Sequence, residues 1–400
     1  MRTRSLTKLA ALGFAGTLAL SACGSSGSSG GGLNNDGGSG GGGDATYTIA
    51  FEGPLSGDYQ QLGINEVNGV QLAIDQANAK GDLGFKLKLM KADDGGDPAK
   101  APAAAAQVLQ DKTVVGVIGP SFSGATKAVG NIYGDAGMTV ITPSASNPSL
   151  STLGFKTFHR IVPNDNVEGS QAAVWLAKKA KKVYVINDLS DYGDGVANAV
   201  QEGLKKAGVK IIKQGVAGGG ATKDYGTAAA AVKNSGAAAM FYAGYDADAA
   251  QLATALKAAG YKGIRIGGNG IKSSVFTDSS KKAGDGWYMS CGCLDATVAP
   301  AAKQFTADYK AAFNTDPSTY SPEAFDAANA LIEAIKAAKA GGGVTLASVN
   351  EAVNALNYTG ITATIKFQED GEIVPENQVV NLFQQKGGAI TLLGNILEQK

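Results

Sequence analysis

Histidine occurs once in the 400 residues and cysteine three times. His159 lies in the strand-like stretch Thr157-Phe-His-Arg-Ile161 with no serine or cysteine patterned around it, so a nucleophile–histidine pair has no footing. The serine-bearing turn Gly119-Pro-Ser-Phe-Ser123 does not read Gly-x-Ser-x-Gly, the elbow that exposes a nucleophile. No loop ends in Gly-Lys-Ser/Thr to cradle nucleotide phosphates. Asp188, Asp191 and Asp194 recur every third residue, the wrong spacing for an EF-hand calcium loop. Cys291 and Cys293 have no second Cys/His pair to complete a zinc site. Together these gaps argue against a hydrolase and against a bound metal or cofactor. An excess of one charge is missing too. Lys plus Arg and Asp plus Glu each number 35 and form no block, which removes the footprint of a nucleic-acid partner. No apolar run reaches the roughly 20 residues of a membrane span. A surface of this kind suits a small-molecule partner.

What the N-terminus does contain is an address. Arg2, Arg4 and Lys8 form a basic region, residues 9–22 an apolar one of signal-peptide length, and Leu20-Ser21-Ala22 precede Cys23. This run resembles the lipobox of bacterial lipoproteins, which implies removal of residues 1–22 and lipid attachment to Cys23. Sixteen of the twenty residues from Gly24 to Gly43 are Gly or Ser, a flexible tether with a root-mean-square reach of roughly 25 Å. The expected location is the extracytoplasmic face of the bacterial cell membrane, with the chain anchored there. An exported chain permits a disulfide between Cys291 and Cys293, although two free thiols are equally open.

From about Asp44 to Lys400 the chain is too long for one core, so two lobes are expected. Short apolar runs alternate with Ala-rich helical stretches, the pattern of α/β folds in which helices cover parallel sheets. Strands are expected at Tyr47–Phe51, Phe85–Lys91, Val114–Ile118, Met138–Ile141, Lys182–Ile186, Lys210–Val216, Ala238–Ala243, Arg265–Gly267 and Gly286–Ser290. Gly208, Gly236 and Gly260 stand where helix C-terminal caps fall. Near the end, residues 363–367 and 378–383 alternate with period two across Glu369-Asp370-Gly371, which predicts a hairpin.

Ligand chemistry concentrates where strands end. Val115 to Gly119 is a buried-strand pattern closed by Gly-Pro, after which Ser121, Ser123 and Thr126 surround the start of a helix. Hydroxyls and free backbone N–H groups at such a terminus attract a carboxylate or phosphate. Plain N-capping by serine is the alternative. A second turn, Thr142-Pro-Ser144-Ala-Ser146-Asn147, follows the next strand, and adjacent parallel strands bring both turns to one sheet edge. Tyr192 and Tyr245 follow strands of the second half and are candidates for the opposite wall.

Phe51-Glu-Gly-Pro-Leu-Ser-Gly57, Asn68-Gly69, Asp93-Asp94, Gly119 to Thr126, Pro143 to Asn147, Asp191-Tyr192-Gly193 and Lys223-Asp224-Tyr225 give nearly the whole chain after the linker a specific likeness. It resembles the leucine/isoleucine/valine-binding proteins of ABC importers. The resemblance implies a type I periplasmic-binding fold, with two Rossmann-like lobes joined by three crossing strands, spanning 46–161 plus 290–362 and 162–289 plus 363–400. It also implies a monomer that delivers an amino acid to an ABC permease. By position, Ser123 takes the ligand carboxylate, Ser146 bridges carboxylate and ammonium, and the Ser144 carbonyl accepts from the ammonium. Tyr192 and Tyr245 press from the second lobe, while Leu62, Phe122 and Tyr320 line the side-chain pocket. One position departs from the pattern. Asn269 stands where the family has an acid that pairs with the ammonium, so either Asp246 or Glu323 supplies the charge or the ligand lacks a free amine. In the latter case Asn269→Asp is expected to improve amino-acid binding. A transcription factor of related core fold needs a DNA-reading helix pair where this chain has its leader. A sensor presenting a small amide or urea-type solute to a membrane partner uses the same clamshell as a transporter.

Overall fold

The computed structural model describes residues 45–216 and 224–400, so Cys23 and its Gly/Ser run lie outside the described residues. The first half builds β1 (Thr46–Gly53), α1 (Gln60–Lys80), β2 (Lys86–Asp93), α2 (Ala101–Gln110), β3 (Val114–Ile118), α3 (Ser123–Ala136), β4 (Val140–Thr142) and β5 (Phe158–Arg160). These five strands make one parallel sheet in the order β2-β1-β3-β4-β5. Next come α4 (Asp165–Lys179), β6 (Lys182–Asn187), α5 (Asp191–Lys206), β7 (Lys210–Gly215), α6 (Tyr225–Asn234), β8 (Ala239–Ala243), α7 (Asp246–Ala258), β9 (Ile264–Gly267), α8 (Ser274–Ser280) and β10 (Trp287–Cys291). Then α9 (Lys303–Phe313), α10 (Ser321–Ala340) and α11 (Leu346–Asn354) return to the first sheet, where α10 packs on α1, β3 and β4. Two short strands, β11 (Tyr358–Thr359) and β12 (Thr364–Ile365), precede β13 (Asn381–Lys386) and β14 (Ala389–Asn395). The second sheet runs β14-β13-β10-β9-β8-β6-β7, parallel except at β13 and β14.

The chain therefore passes between the two sheets three times, after β5, after β10 and after β12. The central strands β3 and β8 are buried along their whole length, as their unbroken apolar composition requires when helices cover both faces. The glycines after α5, α6 and α7 adopt left-handed φ of 70° (Gly208), 65° (Gly236) and 71° (Gly260), the C-terminal caps that their positions suggested.

The hairpin is the one element placed differently. Gln368 to Gly371 do close a tight turn, with Phe367 bridging Ile373, but the chain then leaves for the other sheet. There β13 pairs antiparallel with both β10 and β14, and the hairpin turn is at Gly387-Gly388. A two-residue period says which face a strand buries and carries no information about its partner.

At the crossing after β5, Arg160 is fully buried and its guanidinium is paired with Glu372 through both Nε and Nη2. Its Nη1 donates to the carbonyls of Ala145 (3.0 Å) and Asn147 (2.8 Å). One buried ion pair thus ties the third crossing segment to the turn that carries Ser144 and Ser146. Cys291 and Cys293 are joined in a disulfide beside the second crossing. Among the described residues no helix is long and apolar enough to cross a membrane.

Candidate functional site

Parallel pairing of β3 with β4 places their two following turns side by side, and hydrogen bonds then lock them together. Thr142 Oγ1 donates to the Pro120 carbonyl at 2.8 Å and accepts from Ala145 N. Ser144 Oγ donates to the Ser121 carbonyl at 2.7 Å, and Ser123 Oγ accepts from Asn147 N at 3.2 Å. No serine side chain caps α3, whose N-cap residue is Phe122. The capping alternative is therefore not what these serines do, and the helix terminus keeps its N–H groups for another acceptor.

Opposite lies the edge of the second sheet. Tyr192, in the first turn of α5, accepts from Gly270 N at 3.1 Å, and Asn269 donates twice to Glu168, from its backbone N at 2.9 Å and from Nδ2 at 2.8 Å. Ser290 Oγ donates to the same carboxylate at 2.9 Å. Gly268 is needed here for space, since a Cβ would come within 2.5 Å of the Tyr192 hydroxyl and 3.0 Å of Glu168 Oε1. Aromatic rings then bridge the lobes. Phe122 stacks on Tyr245 with centroids 4.4 Å apart, Tyr59 packs 5.0 Å from Tyr245, and the Tyr59 hydroxyl donates to Asp248 at 2.9 Å. Lys127 reaches Asp191 at 2.6 Å across the same gap.

Between these walls is a cavity of about 20 Å³, room for a single water molecule, so entry of anything larger requires the lobes to part. Leu62, Phe122, Ser123, Ser144, Tyr192, Tyr245, Asn269 and Tyr320, all expected from the sequence, line it together. Three of the expected residues stand elsewhere. Ser146 is buried outside the lining, its carbonyl accepting from Asp165 N. Asp246, also buried outside it, accepts from Ser273 Oγ and Ala247 N. Glu323 accepts from Leu294 N at 2.7 Å near the second crossing and does not reach the cavity. A larger hollow of about 760 Å³ runs along α7 past Tyr225 and Val275, but it is an open groove with no buried polar groups converging on it.

The acid that does line the cavity is Glu66, with Ser121 beside it. Sequence reasoning placed Ser121 in the turn after β3 but passed over Glu66. The available signal was on α1, where Leu62, Glu66, Val70 and Ile74 recur at i, i+4 and so share one buried stripe with a single acid in it. Burial pushes Glu66 up to about 8 against the opposing pull of the Ser121 and Ser144 hydroxyls. Burial likewise raises Glu168 to about 7, with Asn269 and Ser290 pulling the other way. Among the described residues no group of three His, Cys, Asp or Glu side chains is arranged to hold a metal.

Comparison with known proteins gives this arrangement its context. The profile of a family described as periplasmic binding protein matches residues 46–389. The Leu/Ile/Val/Thr-binding protein of Salmonella typhimurium is 35% identical over 246 residues, which cover 60% of this chain and 67% of that protein. A leucine-, isoleucine-, valine-, threonine- and alanine-binding protein of Pseudomonas aeruginosa is 30% identical over 82% of this chain and 87% of its own length. Among solved structures, a leucine binding protein LivK from Thermotoga maritima superposes with a TM-score of 0.79 at 23% identity, covering 86% of this chain and 97% of that one. A solute binding protein from R. palustris in complex with benzoate reaches 0.78 at 19% identity, over 88% and 96%. At such identities the likeness is one of fold, and the fold is the type I periplasmic-binding architecture of two lobes.

Proposed function

Because the chain belongs to the periplasmic binding protein family, whose members bind solutes and catalyse no reaction, we propose that it captures a branched-chain or related amino acid between its lobes and delivers it to an ABC permease. The observation that carries this reading is the convergence of eight sequence-identified residues on one interlobe cavity, with Ser123 and Ser144 from the β3 and β4 turns, Asn269 opposite, and Leu62 and four aromatic rings around them. Ser123 and the uncapped start of α3 offer donors to a carboxylate, and the Ser144 carbonyl offers an acceptor to an ammonium. Leu62, Phe122 and Tyr320 offer apolar surface to a side chain. The mechanism is a population shift: ligand binds one lobe of an open form, and the contacts of Tyr192 and Tyr245 draw the lobes together.

The lobes in this proposal are 46–161 plus 290–362 and 162–289 plus 363–400. They ride as a monomer on the linker 23–45, held at the extracytoplasmic membrane face by lipid on Cys23 after loss of residues 1–22. Two acyl chains give stable anchoring where one is marginal. Incorporation of a radiolabelled fatty acid should therefore disappear in Cys23→Ser; labelling that persists removes the anchor from the account.

A neutral Asn269 and a narrow cavity also favour a second ligand class, short amides or urea-type solutes presented to a signalling partner. A thermal-shift panel separates the two. Leucine, isoleucine and valine should raise the melting temperature, because a ligand at 100 times its Kd stabilises by about 2.7 kcal/mol. Stabilisation by acetamide or urea alone transfers the site to the second class.

A further inference from the structure

The cavity lining contains one carboxyl group and no lysine or arginine. That carboxyl, Glu66, has no exposed surface, and its two oxygens differ. Oε2 accepts from Ser121 Oγ at 2.6 Å, whereas Oε1 is buried without a hydrogen bond, the neighbouring Ser144 hydroxyl donating instead to the Ser121 carbonyl. A buried carboxylate oxygen left without a donor is costly, and the cost falls away when an occupant of the cavity supplies one. The other wall offers no competing acid. The Asn269 amide nitrogen donates to Glu168, and the only acceptor that side chain can turn toward an ammonium is its neutral carbonyl oxygen. Asp246 and Glu323 lie outside the lining.

We propose that Glu66 recognises the ligand's amino group, so the counter-charge for an α-ammonium comes from α1 of the first lobe and not from position 269. The proposal rests on the cavity being an amino-acid site. It completes a bipolar arrangement within that lobe, with Ser123 and the α3 terminus facing the carboxylate and Glu66 facing the ammonium. An ammonium that bonds Oε1 favours the ionised carboxylate, and the proton that burial holds on the empty site leaves to solvent. Because Ser121 fixes Oε2, the side chain is oriented before ligand arrives, and both ends of the ligand are recognised by one lobe while the clamshell is open.

The test pairs a ligand change with a protein change. Leucine and 4-methylpentanoate, which lacks only the amino group, are titrated into the wild-type protein, Glu66→Gln and Glu66→Asp, each checked for native circular dichroism. Glutamine keeps the shape and can still accept from Ser121. The wild-type protein should prefer leucine, and Glu66→Gln should shrink that preference by roughly 10- to 150-fold, the range of a hydrogen bond to a charged group, with 4-methylpentanoate affinity little changed. Glu66→Asp should restore part of it. Equal weakening of both ligands assigns Glu66 a purely structural role and overturns the proposal, as does an unchanged preference. A wild-type protein that binds no amino acid fails earlier, at the functional reading itself, and the proposal falls with it.

Discussion

Glu372→Ala should cost the fold about 3–5 kcal/mol, the usual penalty for removing one partner of a buried ion pair. Arg160 is left fully buried with two backbone carbonyls and no bonded counter-charge, since burial favours the protonated form of the nearby Asp165. Against a total stability of about 5–15 kcal/mol this is a large fraction, and the midpoint of urea unfolding should fall at constant m. Replacing both partners, Arg160→Met with Glu372→Leu, removes the unpaired charge and should return most of the stability. It also releases the carbonyls of Ala145 and Asn147, so the double variant should fold yet bind ligand more weakly than the wild-type protein. A loss below about 1 kcal/mol in Glu372→Ala shows instead that water reaches the guanidinium and that the pair does not hold the turn.

Asn269→Asp should destabilise the protein increasingly as pH rises, reversing the gain in binding that the sequence suggests. The structure supplies the reason: Nδ2 lies 2.8 Å from Glu168 Oε2, so the substitution exchanges a donor for a second carboxylate at hydrogen-bond distance. Two unit charges 4 Å apart repel by about 4 kcal/mol at an effective dielectric of 20, and the pair avoids this by keeping a proton. Glu168 already stands near 7 in the folded state against an ordinary glutamate value of 4.5. A folded pKa raised in this way means that the folded form binds more protons, so stability is complete below about 4.5 and declines as pH climbs through the folded value. Melting temperatures of wild type and variant should nearly coincide at pH 5 and diverge by pH 8. Parallel curves across that range contradict the Asn269–Glu168 pairing.

Much of the site was legible because strand ends announce themselves. The run Val115 to Gly119, closed by Gly-Pro and followed by serines, places a turn at a sheet edge, and parallel order brings the next turn beside it. Ser123, Ser144, Tyr192 and Tyr245, read from strand ends, meet in one cavity with Leu62, Phe122, Asn269 and Tyr320, which the family resemblance supplied. Glu66 was not legible in the same way, since a glutamate in a helix ordinarily faces water and only its spacing from Leu62 and Val70 marks it as buried. Glu168 reads as a first-turn acid complementing the α4 dipole, and its partner Asn269 is 101 residues away, a separation no local pattern encodes. The last hairpin was misplaced for a related reason, as β13 found partners in β10 and β14.

Titration calorimetry of isoleucine into the wild-type protein tests the central claim most directly. The account predicts saturable binding at one site per chain with a negative heat-capacity change, as apolar surface is buried when Leu62, Phe122 and Tyr320 close on the side chain. Absence of binding heat at several temperatures, with the protein shown to be folded, contradicts it.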